Sequence, residues 1–190
     1  MATKDLNGLR VAILITDGFE QVEMTEPRKA LDAAGAETAI VSPKKDSVRG
    51  WKFKEWGDEF DVDVALEDAD PAEFDALLLP GGVINPDRLR MEPAAVEFVQ
   101  AFFATEKPVA AICHGPWMIV EAGEADGRRI ASWPSLKTDV ENAGGEWLDE
   151  APVVDGNLVT ARNPDDIAKF NSAMLKLFGD ASVEGARPVE

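Results

Sequence analysis

The chain has 190 residues, 45% of them hydrophobic, enough to bury the core of a single α/β domain. Its formal net charge of −17 argues against nucleic acids and anionic membranes as partners, because both are polyanions. One cysteine excludes an internal disulfide, which favours a cytoplasmic setting, and one cysteine with one histidine supports no metal site. We find no apolar run of about 18 residues, and residues 1–5 lack the apolar region of a signal peptide.

The first 41 residues predict a β–α–β unit. Leu9–Ile15 is a nearly continuous apolar run, typical of a parallel strand that is buried on both faces. A break at Thr16–Gly18 is followed by a helical pattern that ends at Ala34-Gly35, and then by a second short strand at Glu37–Val41. This order predicts a doubly wound, mostly parallel α/β sheet.

Residues 44–70 are different, because they are highly charged and have no long helical period. Trp51, Phe53, Trp56 and Phe60 are spaced along this segment. We interpret it as a strand pair or an irregular excursion, with a further strand at 62–66. Its aromatic residues suit either a lid or a dimer interface.

The second half of the chain continues the alternation of strands and helices. The predicted elements are a central strand at 75–79, a helix at 92–105, a strand at 108–112, a helix at 116–122, a strand at 127–131, a helix capped by Ser135 that reaches Asn142, a hairpin formed by 153–154 and 158–160, and a last helix from Pro164 to Phe178. No linker or repeat divides the chain, so we expect one domain over 1–190 with its core at 8–178. We expect the tail, 179–190, to be mobile.

The only cysteine, Cys113, and the only histidine, His114, are adjacent, in a turn between a predicted strand and a predicted helix. A thiol at such a turn is exposed at the carboxyl end of a sheet, and the nearby helix N-terminus favours the thiolate. The alternative is a buried structural thiol. Adjacent side chains generally diverge, so an activated Cys–His pair is not implied. We predict a pKa well below the usual value of about 8.5 for Cys113.

Three segments should meet above the carboxyl ends of parallel strands, where open α/β sheets hold ligands. They are Asp17–Glu20, Pro80–Gly82 and Cys113–Gly115. In this arrangement Glu20 would hydrogen-bond the thiol, and the amides of Gly81, Gly82 and His114 would receive a developing oxyanion. Gly115 lets the backbone turn tightly.

Five segments together carry a family resemblance. They are Asp17–Glu23, Leu79–Gly82, Ala111–Trp117, Ser132–Ser135 and Pro164–Asp166. In this order they resemble the DJ-1/PfpI superfamily, above all its PfpI-type intracellular protease-like branch of general stress proteins. The resemblance spans residues 8 to about 178. It implies a flavodoxin-like, class I glutamine amidotransferase-like fold with a small β-hairpin excursion.

The resemblance also implies roles for individual residues. It places the nucleophile on Cys113, its partner on His114 and the acid that contacts the cysteine on Glu20, while Glu23 and Glu26 are interpreted as dipole or surface charges. In PfpI-type enzymes an acid from a neighbouring subunit completes the site, and the matching residue here is Asp87, which is shorter than the glutamate of some relatives. Trp117 and Trp133 are expected to pack near the pocket. No cofactor and no metal are implied.

These residues suggest three functions. The first is a stress-protective enzyme in which Cys113 adds to reactive aldehydes such as methylglyoxal, as a glutathione-independent glyoxalase or deglycase. The second is an intracellular cysteine peptidase, which depends more heavily on His114 and Asp87. The third is a redox-sensing or chaperone-like protein in which Cys113 is oxidised. The partners we expect are a small aldehyde or peptide substrate and a second copy of the chain.

Overall fold

The computed structural model of the protein describes residues 5–185. The strands are β1 (Arg10–Leu14), β2 (Glu37–Ser42), β3 (Ser47–Lys52), β4 (Glu55–Asp61), β5 (Val64–Ala65), β6 (Ala76–Leu79), β7 (Val109–Ile112), β8 (Arg129–Ile130), β9 (Glu146–Trp147), β10 (Val153–Asp155) and β11 (Leu158–Ala161). The α-helices are α1 (Gln21–Ala33), α2 (Ile84–Leu89), α3 (Pro93–Ala104), α4 (Trp117–Glu121), α5 (Lys137–Asn142) and α6 (Ile167–Gly185).

Seven strands form the central sheet in the order β10-β11-β7-β6-β1-β2-β5. Every neighbouring pair is parallel except β10 and β11, which form the predicted hairpin at one edge. The order reverses between β1 and β6, so the crossovers place helices on both faces. This arrangement confirms the predicted doubly wound, flavodoxin-like sheet.

Each face of the sheet carries its own hydrophobic core, and β1 contributes to both because successive side chains point to opposite faces. Ala12 and Leu14 pack in the core beneath α3, α4 and α5. Val11 and Ile13 pack in the opposite core, against α1 and α6. Burial on both faces explains why these strands are apolar runs in the sequence.

Strands β3 and β4 form a separate antiparallel hairpin, the excursion that the charged segment predicts. The side chain of Gln21, at the start of α1, holds this hairpin: its Nε2 donates to Asp58 Oδ2 at 2.7 Å, and its Oε1 accepts from the Asp58 N–H at 2.8 Å. Only glycine fits at position 57, because a Cβ on Gly57 would lie only 2.1 Å from the same Oε1. The hairpin therefore has a fixed position relative to α1.

Several predicted details are wrong. Ser135 lies inside a 3-10 turn and does not cap α5, whose N-cap is Leu136. The strand predicted at 62–66 is only two residues long, because Leu66 begins another 3-10 turn. The last helix continues to Gly185 instead of ending at Phe178. The mobility expected of the tail remains a prediction, and residues 186–190 lie outside the described part of the chain.

Across residues 5–185, no helix combines the length and the apolar character needed to cross a membrane.

Candidate active site

The three predicted segments do meet above the carboxyl ends of the strands, and Asn85 joins two of them. This fully buried side chain accepts a hydrogen bond from the Thr16 N–H at 2.8 Å. Its amide group donates to the carbonyl oxygens of Pro80 and Gly81, at 3.0 and 3.3 Å. Asn85 thus fixes the loop after β6 against the loop after β1.

Cys113 lies at the turn between β7 and α4 in a left-handed backbone conformation, with φ at +62°. Such a φ is uncommon for a residue with a side chain and occurs where the surrounding structure enforces it. Here the Cys113 N–H donates to the Ala161 carbonyl at 3.0 Å, and its carbonyl accepts from the Trp133 N–H at 2.8 Å. Two residues later, a Cβ on Gly115 would lie 2.3 Å from the Leu79 carbonyl oxygen. This geometry resembles a nucleophile elbow.

The thiol lies in a cavity of about 470 Å³. Its lining residues are Gly18, Glu20, Glu23, Trp51, Phe53, Gly82, Val83, Ile84, Cys113, His114, Trp133 and Pro164. Trp51 and Phe53 come from the β3–β4 hairpin, so the excursion forms one wall of the cavity. This position favours the lid interpretation of these two aromatic residues.

The acid beside the thiol is Glu23, which corrects two predictions. Glu23 is completely buried, and its carboxyl group interacts with the Cys113 side chain. Its Oε2 accepts a hydrogen bond from the Gly81 N–H at 2.9 Å, while within residues 5–181 its buried Oε1 has no hydrogen-bond partner. Glu23 is therefore not a surface charge, and the predicted contact of Glu20 with the cysteine is wrong.

Cys113 and Glu23 affect each other's ionisation. Burial raises the pKa of Glu23 to about 8. Burial also raises the pKa of the Cys113 thiol, and the negative charge of Glu23 raises it further, against the opposing effect of the Gly82 and His114 N–H groups. The predicted lowered pKa for Cys113 is therefore wrong. Because the two groups are coupled, they lose their protons as a pair. The pair loses its first proton at about pH 8 or below, and the carboxyl group and the sulfur then share the proton that remains.

Glu20 lies in the same cavity but faces the hairpin. It precedes α1 without capping it, and its carboxylate accepts only long hydrogen bonds, of 3.3 and 3.4 Å, from the Phe53 N–H. The side chain is 8% exposed, and burial raises its pKa. Glu20 is therefore a wall residue of the cavity.

His114 contacts Cys113 despite being its chain neighbour, since its Nδ1 lies 3.2 Å from the Cys113 Sγ. Its ring stacks on Trp133, with centroids 5.9 Å apart and planes at 21°, and meets the edge of Trp117 at 5.1 Å. Burial lowers the pKa of His114 to about 4. The imidazole is therefore neutral at neutral pH and can accept or relay a proton.

The predicted oxyanion amides are only partly available. The Gly81 N–H is already bonded to Glu23, so Gly81 does not serve as predicted. Instead it provides space, because a Cβ on Gly81 would lie 2.5 Å from Glu23 Oε2 and 2.7 Å from the Cys113 Cβ. The N–H groups of Gly82 and His114 do point at the sulfur. They are therefore close to the place where a carbonyl oxygen would become negative when the sulfur adds to its carbon.

The other predicted residues have separate positions. Trp133 is 41% exposed and lines the cavity, whereas Trp117 lies behind His114 with its Nε1 donating to Asp139 Oδ2 at 2.8 Å. Asp87 is exposed on α2, a helix that is absent from the predicted elements, and does not line the cavity. Within residues 5–185 it has no part in the site of its own chain.

Sequence reasoning missed Glu23 as a site residue, and a signal for it existed. Because α1 begins at Gln21, Glu23 lies in its first turn, and helical side chains lean toward the N-terminal end of their helix. That end faces the strand ends, so Glu23 is directed at the site. The hairpin residues Trp51 and Phe53 carried no comparable signal for the cavity wall.

The fold and the site define an α/β protein with a buried cysteine at a strand-to-helix turn. The chain belongs to the DJ-1/PfpI family, whose model matches residues 9–177. It is 42% identical to General stress protein 18 of Bacillus subtilis over 171 residues, covering 90% of this chain and 98% of that protein. It is 43% identical to Deglycase PYRAB04690 of Pyrococcus abyssi over 169 residues, covering 89% and 99%.

A solved structure is similar over the same region. It is a two-domain protein of Anabaena variabilis with DJ-1/ThiJ/PfpI-like and ferritin-like domains, 37% identical, with a TM-score of 0.84. The match covers 90% of this chain and 50% of that one. The family and the stress-protein branch that the motifs indicate are thus confirmed.

Proposed function

We propose that the protein is a cysteine-dependent enzyme that acts on reactive aldehydes such as methylglyoxal, or on their early adducts with amines and thiols. The main support is the buried pair of Cys113 and Glu23, which places a nucleophile and a proton acceptor together on the floor of one cavity. The deglycase name of the Pyrococcus relative points to the same chemistry.

In the first step, the Cys113 sulfur adds to the aldehyde carbon and the carbonyl π electrons move to oxygen. The thiol proton passes to Glu23 and then to that oxygen, which gives a hemithioacetal with no net change of charge. The N–H groups of Gly82 and His114 stabilise the oxygen while it is negative. A group with a pKa of about 8 is suited to this transfer near neutral pH.

With methylglyoxal, the second step moves the proton on the hemithioacetal carbon to the neighbouring carbonyl carbon, and the hydroxyl proton moves to the oxygen of that carbonyl group. The product is a lactoyl thioester of Cys113, which water hydrolyses to lactate and the free thiol. Glu23 and the neutral His114, whose Nδ1 is 3.2 Å from the sulfur, are the bases within reach. An early adduct would instead release its amine or thiol and leave the same bound aldehyde.

A peptidase is the second candidate, and the contact between Cys113 and His114 favours it. However, a peptidase needs a histidinium to protonate the leaving amine, and burial lowers the pKa of His114 to about 4. In the described part of this chain, His114 also has no acidic partner in hydrogen-bond contact. The aldehyde reaction makes no such demand.

A substrate panel with Cys113→Ala tests the proposed function. We expect metal-free wild-type protein to consume methylglyoxal and form lactate, and the variant, purified in parallel, to show only the background rate. Equal turnover by a variant with an unchanged melting temperature would exclude Cys113 as the nucleophile. Cysteine-dependent cleavage of unfolded protein without turnover of aldehyde would favour the peptidase, and irreversible oxidation of Cys113 without turnover would favour the sensor.

We also propose that the protein forms a homodimer. Val83 and Met91, at either end of α2, are exposed apolar residues, Val83 also lines the cavity, and Asp87 is exposed between them. A second copy packed on this surface would bring its own Asp87 toward His114. Light scattering with size exclusion at micromolar concentration tests the dimer, and full activity of Asp87→Ala within a dimer would assign Asp87 a surface role only.

A further inference from the structure

The cavity is lined by acidic side chains but not by basic ones. Its two ionisable acids are Glu20 and Glu23, and none of its lining residues is a lysine or an arginine. The chain as a whole carries a formal charge of −17. An anionic substrate therefore finds no partner in this cavity and is repelled on its approach.

Glu20 is buried without a strong partner. It is 8% exposed, and its only hydrogen-bond donor within residues 5–181 is the Phe53 N–H, at 3.3 and 3.4 Å. Buried carboxyl oxygens are normally satisfied, so Glu20 indicates a ligand that donates a hydrogen bond, whereas the neighbouring Glu23 interacts with the Cys113 thiol.

The remaining walls are aromatic. Trp51 and Phe53 come from the hairpin, and Trp133 lies on the opposite side, where it stacks on His114. Trp51 is held in an edge-to-face contact with Trp56, with centroids 5.3 Å apart. Aromatic faces attract cations, and they do so more strongly where water is excluded.

We propose that Glu20 is a specificity-determining residue that selects substrates with a cationic group, an ammonium or a guanidinium, close to the reacting carbon. The cation would replace the weak hydrogen bond of Glu20 with a charge-assisted one, while the aromatic walls enclose it. This proposal rests on the proposed function for one point, that the cationic ligand is a substrate. It assigns Glu20 to recognition and leaves proton transfer to Glu23.

Charged thiol reagents test the selection without requiring turnover. Aminoethyl and sulfonatoethyl methanethiosulfonate differ in charge, and each converts Cys113 to a mixed disulfide with release of methanesulfinate. We expect the cationic reagent to react at least about tenfold faster with wild-type protein, relative to the rates of both reagents with free cysteine. In Glu20→Gln we expect this ratio to fall toward one, with little change in the rate of the neutral methyl reagent.

Glu26→Gln is the matched control, because Glu26 is an exposed acid on α1, the helix that Glu20 directly precedes, and its substitution removes the same charge. A wild-type ratio near one, an unchanged ratio in Glu20→Gln, or an equal fall in Glu26→Gln would each overturn the proposal.

A second arm compares the hemithioacetals that methylglyoxal forms with 2-(dimethylamino)ethanethiol, whose protonated tertiary amine cannot close a thiazolidine ring, and with 3-mercaptopropionate. We expect wild-type protein to prefer the cationic adduct and Glu20→Gln to lose this preference through KM. If wild-type protein turns over neither adduct, the proposed function fails, while the reagent ratio still decides whether Glu20 selects cations.

Discussion

Replacing Glu23 with glutamine is expected to lower kcat/KM for methylglyoxal by at least about 100-fold, the usual contribution of a positioned acid–base group. Glutamine keeps the shape of the side chain, and its amide oxygen can still accept the hydrogen bond from the Gly81 N–H, but it cannot take the thiol proton. The loss should therefore appear mainly in kcat.

Glu20→Gln is the control for this change, because Glu20 lies in the same cavity but bonds to Phe53. We expect it to lower turnover of the uncharged substrate methylglyoxal by less than about tenfold, since the proton path remains intact. Steady-state kinetics of both variants at one pH makes the comparison. Equal losses in the two variants would show that the cavity needs negative charge in general, and would contradict a specific role for Glu23.

Glu23→Gln is also expected to change how the free energy of unfolding depends on pH. The pKa of Glu23 is about 8 in the folded protein, whereas its ordinary value is 4.5. Between these two pH values the folded protein keeps a proton that the unfolded chain releases. Below pH 4.5 the Glu23 carboxyl group is protonated in both states and does not lower the free energy of unfolding. As the pH rises toward 8, the free energy of unfolding falls by at most about 5 kcal/mol. Glutamine does not ionise, so Glu23→Gln avoids this loss.

Thermal melts from pH 4.5 to 9 measure the effect. The melting temperature of Glu23→Gln minus that of the wild type should rise with pH up to about 8 and then level off. His114 has a lowered pKa of about 4, so it destabilises the folded state as the pH falls below 6.5, but this effect cancels in the difference. A difference that does not vary with pH would mean that Glu23 is ionised throughout the range.

The sheet was predictable because its physical cause is local. A parallel strand buried on both faces must be apolar throughout, and β1, β6 and β7 carry this signature in consecutive residues. The position of Cys113 was predictable for a related reason. Cys113 and His114 follow β7 directly, so locating the strand also located the turn.

The acid was harder to assign because its role depends on where a helix begins. Glu20 and Glu23 are three residues apart, and the boundary of α1 decides which one leans toward the strand ends. Sequence patterns fix such boundaries only to within a few residues. The burial that raises the pKa of Cys113 was equally invisible, since it comes from β11, α1 and the loop after β6.

Helix α2 was missed because long-range hydrogen bonds stabilise it. Its six residues include Pro86, and a short proline-containing segment predicts a loop. The buried Asn85 anchors the helix to Thr16, 69 residues away in the sequence, and also donates to the nearby Pro80 carbonyl. The attachment of the β3–β4 hairpin through Gln21 and Asp58 has the same character.

The central claim is that Cys113 and Glu23 share one proton, and the pH dependence of Cys113 alkylation by iodoacetamide tests it most directly. We expect the wild-type rate to rise with an inflection at about pH 8 or below, where the pair loses its first proton. In Glu20→Gln the inflection should move only slightly downward, because the charge of Glu20 raises the pKa of Glu23 less than burial does. In Glu23→Gln it should move above the ordinary cysteine value of about 8.5, because the buried thiol must ionise alone. An unchanged inflection in Glu23→Gln would contradict the shared proton.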